Sequence, residues 1–232
     1  MAFITGASGG LGAGLAEEFL AAGWRVIAGF HSRAPSLSHP GLIPLPCNLL
    51  DPAQAKLAPA RALEVWGRVD ALINNAGITR DKLLAQTTLS DWDEMLRLNL
   101  RAPFVLAQGL VPAMAAQGGG QIVNIASLVG LRGAAGQAGY AAAKAGLLGL
   151  TQSLAQELGP QNIRVNAVLP GLLPTGMTSG LAGPEWRAAI ARNVLGRTNS
   201  IEEVARFVCF LAGTRNISGQ VFALDSRPPK LF

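Results

Sequence analysis

The chain has 232 residues, half of them hydrophobic and 14% charged, which suits one sizeable buried core and excludes an intrinsically disordered chain. Its net charge of +5 comes from scattered basic residues, with 6% aromatics and no arginine-rich or zinc-finger pattern, so phosphates or an acidic carrier protein fit it better than nucleic acid. No apolar run reaches the roughly 18 residues that span a bilayer, and Met1-Ala-Phe-Ile-Thr-Gly6 lacks the basic stretch and apolar core of an export signal.

Along the chain, short apolar runs alternate with segments of helical period. A strand is predicted at 2–5, a helix at 11–22, strands at 25–30 and 42–47, a helix at 53–66 and a strand at 71–74. There follow a helix at 91–117, a strand at 121–125, a helix at 138–158, a strand at 163–169, helices at 185–192 and 201–211, and a strand at 221–224. Ser90 is the expected cap of the 91–117 helix, and Ser200 with Glu203 that of the 201–211 helix. The alternation predicts one α/β domain over 1–232: a Rossmann-type, doubly wound, parallel seven-stranded sheet with helices on both faces. Pro44 and Pro46 cannot donate to a ladder and place the third strand at a sheet edge, as the order 3-2-1-4-5-6 requires. Gly118-Gly119-Gly120 reads as a helix-to-strand turn and 171–183 as a loop over a site. Cys47 and Cys209, far apart beside apolar residues, read as buried free thiols in a reducing, cytoplasmic setting.

Between the first strand and helix runs Thr5-Gly6-Ala7-Ser8-Gly9-Gly10-Leu11-Gly12. Such a turn lets backbone amides approach a pyrophosphate at a helix N-terminus, although the same glycines would serve a tight strand-to-helix turn. After the second strand come Phe30-His31-Ser32-Arg33, with no acidic residue to take a ribose 2′-hydroxyl. Ser8 as donor and Arg33 as cation favour the 2′-phosphate of NADP(H), unless Arg33 is simply a solvated loop residue.

Tyr140-Ala-Ala-Ala-Lys144 places two chemistry-bearing side chains one turn apart on a helix. An ammonium about 4 Å from the phenol, at an effective dielectric of ~20, would stabilise the phenolate by roughly 4 kcal/mol and draw the phenol toward neutrality. Alone, such a pair is commonly just a helix surface. Ser127 follows the strand at 121–125, at the carboxyl edge of the sheet where ligands of open α/β folds bind, and its hydroxyl can hold a substrate carbonyl. A serine hydrolase would need a nucleophile elbow and a nearby histidine, but His31 and His39 sit in the early loop. Zinc chemistry lacks its ligand cluster, and no metal is expected.

Together these motifs resemble the short-chain dehydrogenases/reductases over nearly the whole chain. The glycine turn is similar to the family's cofactor turn, and Asn74-Asn75-Ala76-Gly77 to its adenine-side motif. Pro170-Gly171-Leu172-Leu173-Pro174-Thr175 resembles its nicotinamide loop, and Asn99 its central-helix asparagine. The resemblance implies hydride transfer from the nicotinamide while Tyr140 protonates the carbonyl oxygen, Ser127 holds it, Lys144 binds the ribose and tunes Tyr140, and Asn99 positions a water. Within the family, 75–84 and 140–147 look most like 3-oxoacyl-acyl-carrier-protein reductases and acetoacetyl-CoA reductases, and Asn48-Leu49 matches their adenine contact. That implies NADPH-dependent reduction of a β-ketoacyl thioester and a homotetramer or homodimer built through the long central helices and last strand. A reductase or dehydrogenase of another ketone or secondary alcohol, and a non-catalytic cofactor-binding regulator, are the alternatives. Stretches 128–138 and 172–182 would wall the substrate pocket.

The chain departs from this pattern in three places. The usual carrier-docking arginines give way to Gly118–Gln121 and Gln161-Asn162, leaving Arg80, Arg101 and Arg132 as substitutes. The second and third strands are joined by 31–41 alone, too short and proline-broken for the usual crossover helix, which predicts an exposed adenosine end. The chain ends Leu224-Asp-Ser-Arg-Pro-Pro-Lys-Leu-Phe232 in place of a glycine-rich close.

Overall fold

The computed structural model describes residues 1–180 and 183–227, apart from the side chain of Glu185. Leu181 and Ala182 at the end of the expected pocket wall, and the final run from Pro228, lie outside the described residues.

Seven strands form one sheet: β1 (Ala2–Thr5), β2 (Val26–Phe30), β3 (Leu42–Pro46), β4 (Ala71–Asn74), β5 (Gly120–Ile125), β6 (Ile163–Leu169) and β7 (Val221–Ala223). Their order is β3-β2-β1-β4-β5-β6-β7 and every pairing is parallel. Strand periodicity divides the side chains between two faces. Ala2 and Ile4 pack with α1 (Leu11–Ala21) and α8 (Ile201–Gly213) on one face. Phe3, Ile27, Leu72 and Ile122 pack on the other with α2 (Pro52–Trp66) and α4 (Ala102–Ala116). The remaining helices are α3 (Leu89–Leu96), α5 (Val129–Arg132), α6 (Ala138–Leu158) and α7 (Gly183–Ala191). The prolines of β3 sit at the sheet edge, and residues 31–41 contain no helix. Both cysteines are free and buried. No helix among the described residues is long and apolar enough to cross a membrane.

Three local expectations are corrected. The helix expected at 91–117 is capped by Thr88, not Ser90: Thr88 Oγ1 accepts from Asp91 N at 3.1 Å, and the Asp91 carboxylate accepts from Thr88 N at 3.2 Å. This reciprocal pair satisfies two donors, so the helix starts earlier. The same segment is not one helix, because a π-helical stretch at Arg97–Arg101 separates α3 from α4. Gly120 belongs to β5 rather than to the turn, and α5 was not expected. Ser200 does cap α8, its Oγ accepting from Glu203 N at 3.1 Å.

Candidate active site

A cleft of about 690 Å³ opens at the carboxyl ends of β1, β4, β5 and β6, the edge where the loops of a parallel sheet diverge. Its floor is fixed by Thr5, whose Oγ1 accepts from the backbone N–H groups of Asn75 and Ala76, both at 3.0 Å. Asn75 Nδ2 donates in turn to the carbonyls of Thr5 and Gly6, at 2.9 and 3.2 Å. The glycine turn is thereby bound to the end of β4. At Gly12 a Cβ would stand 2.0 Å from the Gly6 carbonyl, so only glycine lets α1 start this close to β1. No side chain caps α1; its first residues, Leu11 and Gly12, line the cleft with Gly9 and Gly10, which suits a phosphate-bearing ligand. Arg33 reaches the same end, its Nη2 3.6 Å from where a Gly9 Cβ would be.

Ser127, Tyr140 and Lys144 line the other part of the cleft. Tyr140 is hydrogen-bonded to Ser127, whose Oγ accepts from Val129 N at 3.2 Å. Lys144 is 4% exposed and donates to the Ile125 carbonyl at 2.7 Å. A buried side-chain chain sets the register of α6 against the sheet. Asn74 Nδ2 donates to Asn124 Oδ1 at 2.8 Å, Asn124 Nδ2 to Thr151 Oγ1 at 2.9 Å, and Thr151 Oγ1 to the Leu147 carbonyl at 2.7 Å. Tyr140 and Lys144 are carried on the helix so fixed.

The electrostatics differ from the expectation. Burial, with the Asp81 carboxylate adding to it, pushes the Tyr140 phenol up to about 12 against the opposing hydrogen bond from Ser127. Burial brings Lys144 down to about 8. The ammonium is not among the groups that act on the phenol; it donates to the Ile125 carbonyl and sits 5.6 Å from the centre of the Tyr140 ring.

Of the other expected residues, Gly6, Gly9, Gly10, Leu11, Gly12, Arg33, Asn75, Ala76, Gly77, Pro170, Gly171, Leu173 and Thr175 line the cleft. Ser8, His31, Asn48, Leu49 and Asn99 do not. Asn48 instead organises the approach to α2, its Oδ1 accepting from Leu50 N at 3.1 Å, and Leu49 is buried in the core. Asn99 lies behind Gly77 in the π-helical stretch, its Nδ2 donating to the Met95 and Ile78 carbonyls at 2.9 Å each. Sequence reasoning missed Thr79, Asp81 and Arg227 as lining residues. Gln137 Nε2 donates to Asp81 Oδ2 at 2.7 Å, and Thr79 Oγ1 donates to Asp81 Oδ1. The Thr79/Asp81 pair was visible as hydroxyl and carboxylate two residues apart in a loop after a strand, the one signal available. Arg80 and Arg101 lie outside the cleft; Arg80 pairs with Glu94 at 3.1 Å.

A larger hollow of about 830 Å³ lies at the opposite edge of the sheet, lined by Arg25, Arg68, Arg164 and Arg215 among others. There Arg68 pairs with Asp70, Arg164 donates to Gln121 Oε1 and to the Asn162 carbonyl, and Arg25 lies over the Trp66 ring, and the hollow holds none of the residues expected to carry chemistry.

Comparison with known proteins adds an independent finding. The model of the family described as short chain dehydrogenase matches residues 1–186. The 3-oxoacyl-acyl-carrier-protein reductase of Thermotoga maritima is 40% identical, covering 96% of this chain and 94% of its own. The Escherichia coli protein of the same name is 38% identical over 91% of this chain and 89% of its own. A crystal structure from Beutenbergia cavernae, described as an NAD(P) dependent gluconate 5-dehydrogenase with bound NADP at low occupancy, superposes with a TM-score of 0.89 at 32% identity, over 97% of this chain and 94% of that one.

Proposed function

This chain belongs to the short-chain dehydrogenase family, and we propose that it is an NADPH-dependent reductase of β-ketoacyl thioesters, forming the 3-hydroxyacyl product. The observation that carries this is one cleft running from Arg33 and the open N-terminus of α1 to Ser127, Tyr140 and Lys144. The residues present fit NADP(H). The glycine turn leaves no room for a side chain at Gly12, α1 offers uncapped N–H groups, and Arg33 stands beside Gly9 to take a 2′-phosphate. Pro170, Gly171, Leu173 and Thr175 would hold the nicotinamide end. When bound, NADPH supplies the hydride.

The protein groups do the rest. A phenol held at about 12 remains protonated at neutral pH, so Tyr140 carries the proton that the carbonyl oxygen takes up. Ser127, bonded to Tyr140, donates to the same oxygen and holds it against the phenol. Lys144, near its own midpoint at neutral to mildly alkaline pH, holds or releases a proton beside Tyr140 and would bind the ribose. Asn99, joined to Ile78 behind Gly77 and Lys144, would position the water that returns the proton.

The thioester assignment draws on likeness to reductases of that name and on a net positive charge suited to an acidic acyl carrier protein. The likeness to a protein described as a gluconate 5-dehydrogenase favours a second reading, reduction of a small polar ketone. An NADPH-oxidation assay against acetoacetyl-CoA, a carrier-bound ketoacyl chain and simple ketones, repeated with NADH, separates them. The thioesters with NADPH are expected to give the highest kcat/KM; turnover of simple ketones alone, or with NADH preferred, would refute the assignment. Exposed apolar side chains, Phe104 on α4 and Phe210 on α8, support a homo-oligomer, and the buried free thiols of Cys47 and Cys209 support a reducing, cytoplasmic setting; light scattering at the monomer mass of 24.0 kDa would exclude the assembly.

A further inference from the structure

The segment after β7 has no part in the chemistry derived so far, yet it enters the cleft. Arg227 lines it together with Ser127, Tyr140 and Leu172. The segment is tied in place on several sides. Asn199 Nδ2 donates to the Leu224 carbonyl at 2.8 Å, Val194 N to the Ser226 carbonyl at 3.2 Å, and Ser226 Oγ to Asn193 Oδ1 at 3.2 Å. The Asp225 side chain, 2% exposed, packs against Gly171, where a Cβ would come within 2.8 Å of Oδ2.

That buried carboxylate holds Arg227. It accepts from Arg227 Nε at 2.8 and 2.9 Å and from the Arg227 backbone N–H at 2.7 Å, and pairs with Nη2 as well. The Nε–Nη2 edge of the guanidinium is therefore fixed, and Nη1 has no protein partner among the described residues. Arg132, at the end of α5, also acts on Asp225. Asp81, the carboxylate among the described residues that line the cleft, is tied to Thr79 and Gln137 and disfavours an anion on its own wall.

We propose that Arg227 is a specificity-determining residue that receives a negatively charged group of the substrate outside the reacting ketone. That group is an oxyanion, a phosphate on the carrier arm of a thioester or a carboxylate on the ketone's own chain. A guanidinium held by a buried carboxylate is oriented before the ligand arrives, and its planar donors match oxyanions in pairs. Pairing with Asp225 fixes its direction and leaves Nη1 to meet the ligand. The assignment rests on the reductase reading above.

Three substrates with the same ketone test it: acetoacetyl-CoA, which carries phosphates; acetoacetyl-N-acetylcysteamine, an uncharged thioester; and acetoacetate, which carries a carboxylate. Arg227→Gln is expected to lower kcat/KM for at least one charged substrate by about tenfold, through KM, and to leave the neutral thioester within about twofold. Arg227→Lys should recover part of the loss. The charged substrate affected identifies the source of the oxyanion. Equal losses on all three, the behaviour of a strut that only holds the Gly171 loop, would overturn the proposal, as would no loss on any. If the wild type reduces acetoacetate and neither thioester, and Arg227→Gln impairs that turnover, the thioester reading falls and the role of Arg227 stands. A wild type inactive on all three overturns both.

Discussion

Lys144 is a cation at 4% exposure whose hydrogen bond goes to a neutral carbonyl, and burial costs the charged form. Its value falls from an ordinary 10.5 to about 8 in the folded protein. The unfolded chain therefore binds a proton more readily between pH 8 and 10.5. The penalty is fully present below pH 8 and is relieved as pH rises through that window. Lys144→Met is expected to abolish turnover yet stabilise the protein at pH 7 by about 1–3 kcal/mol, with the rise in stability between pH 8 and 10.5 lost; denaturant titration at pH 7 and pH 9 measures both. A less stable variant would mean that the bond to Ile125 outweighs burial. Tyr140, Lys144 and Ser127 were legible in the sequence because spacing on one helix and a position after a strand suffice to group them. Their electrostatics were not, since a pairwise distance guessed from i,i+4 spacing says nothing about which carbonyl the ammonium faces. Arg227 was hidden for a related reason: a cation after the last strand acquires a role only when the segment folds back onto Gly171.

At the scale of elements, α6 owes its register to the buried relay Asn74–Asn124–Thr151–Leu147. Thr151→Val keeps the shape of the side chain while removing its hydroxyl, leaving Asn124 Nδ2 without its acceptor, while the Leu147 carbonyl keeps only its helical bond to the backbone of residue 151. A loss of about 1–3 kcal/mol follows, or roughly 2–4 °C of Tm for each kcal/mol in a chain of this size. An unchanged Tm in a thermal scan would remove the relay's role. Asn124 was visible as a polar residue inside an apolar strand, but its partners across the sheet were not. The strands and the edge position of β3 were readable from apolar runs and two prolines. The break in the long central helix was not, because Arg97-Leu-Asn-Leu-Arg101 has ordinary helical composition and the π-helical turn answers to tertiary bonds: Asn99 Nδ2 reaches across to the Ile78 carbonyl.

For the whole molecule, a parallel sheet with helices on both faces brings the carboxyl ends of four strands to one edge, and the cleft forms there. Sequence order alone predicted that edge, since Ser127, the glycine turn and Asn75 each follow a strand. The walls were less legible, because loops such as 79–81 and the run after β7 take their direction from contacts distant in sequence. The central claim is that this edge houses carbonyl reduction with Tyr140 as proton donor. The direct measurement is NADPH oxidation with acetoacetyl-CoA by wild type and Tyr140→Phe, alongside NADPH binding followed by fluorescence. A fall in kcat of at least about 100-fold is expected, with the Kd for NADPH held within a few-fold; near-normal turnover in the variant would contradict the role of Tyr140.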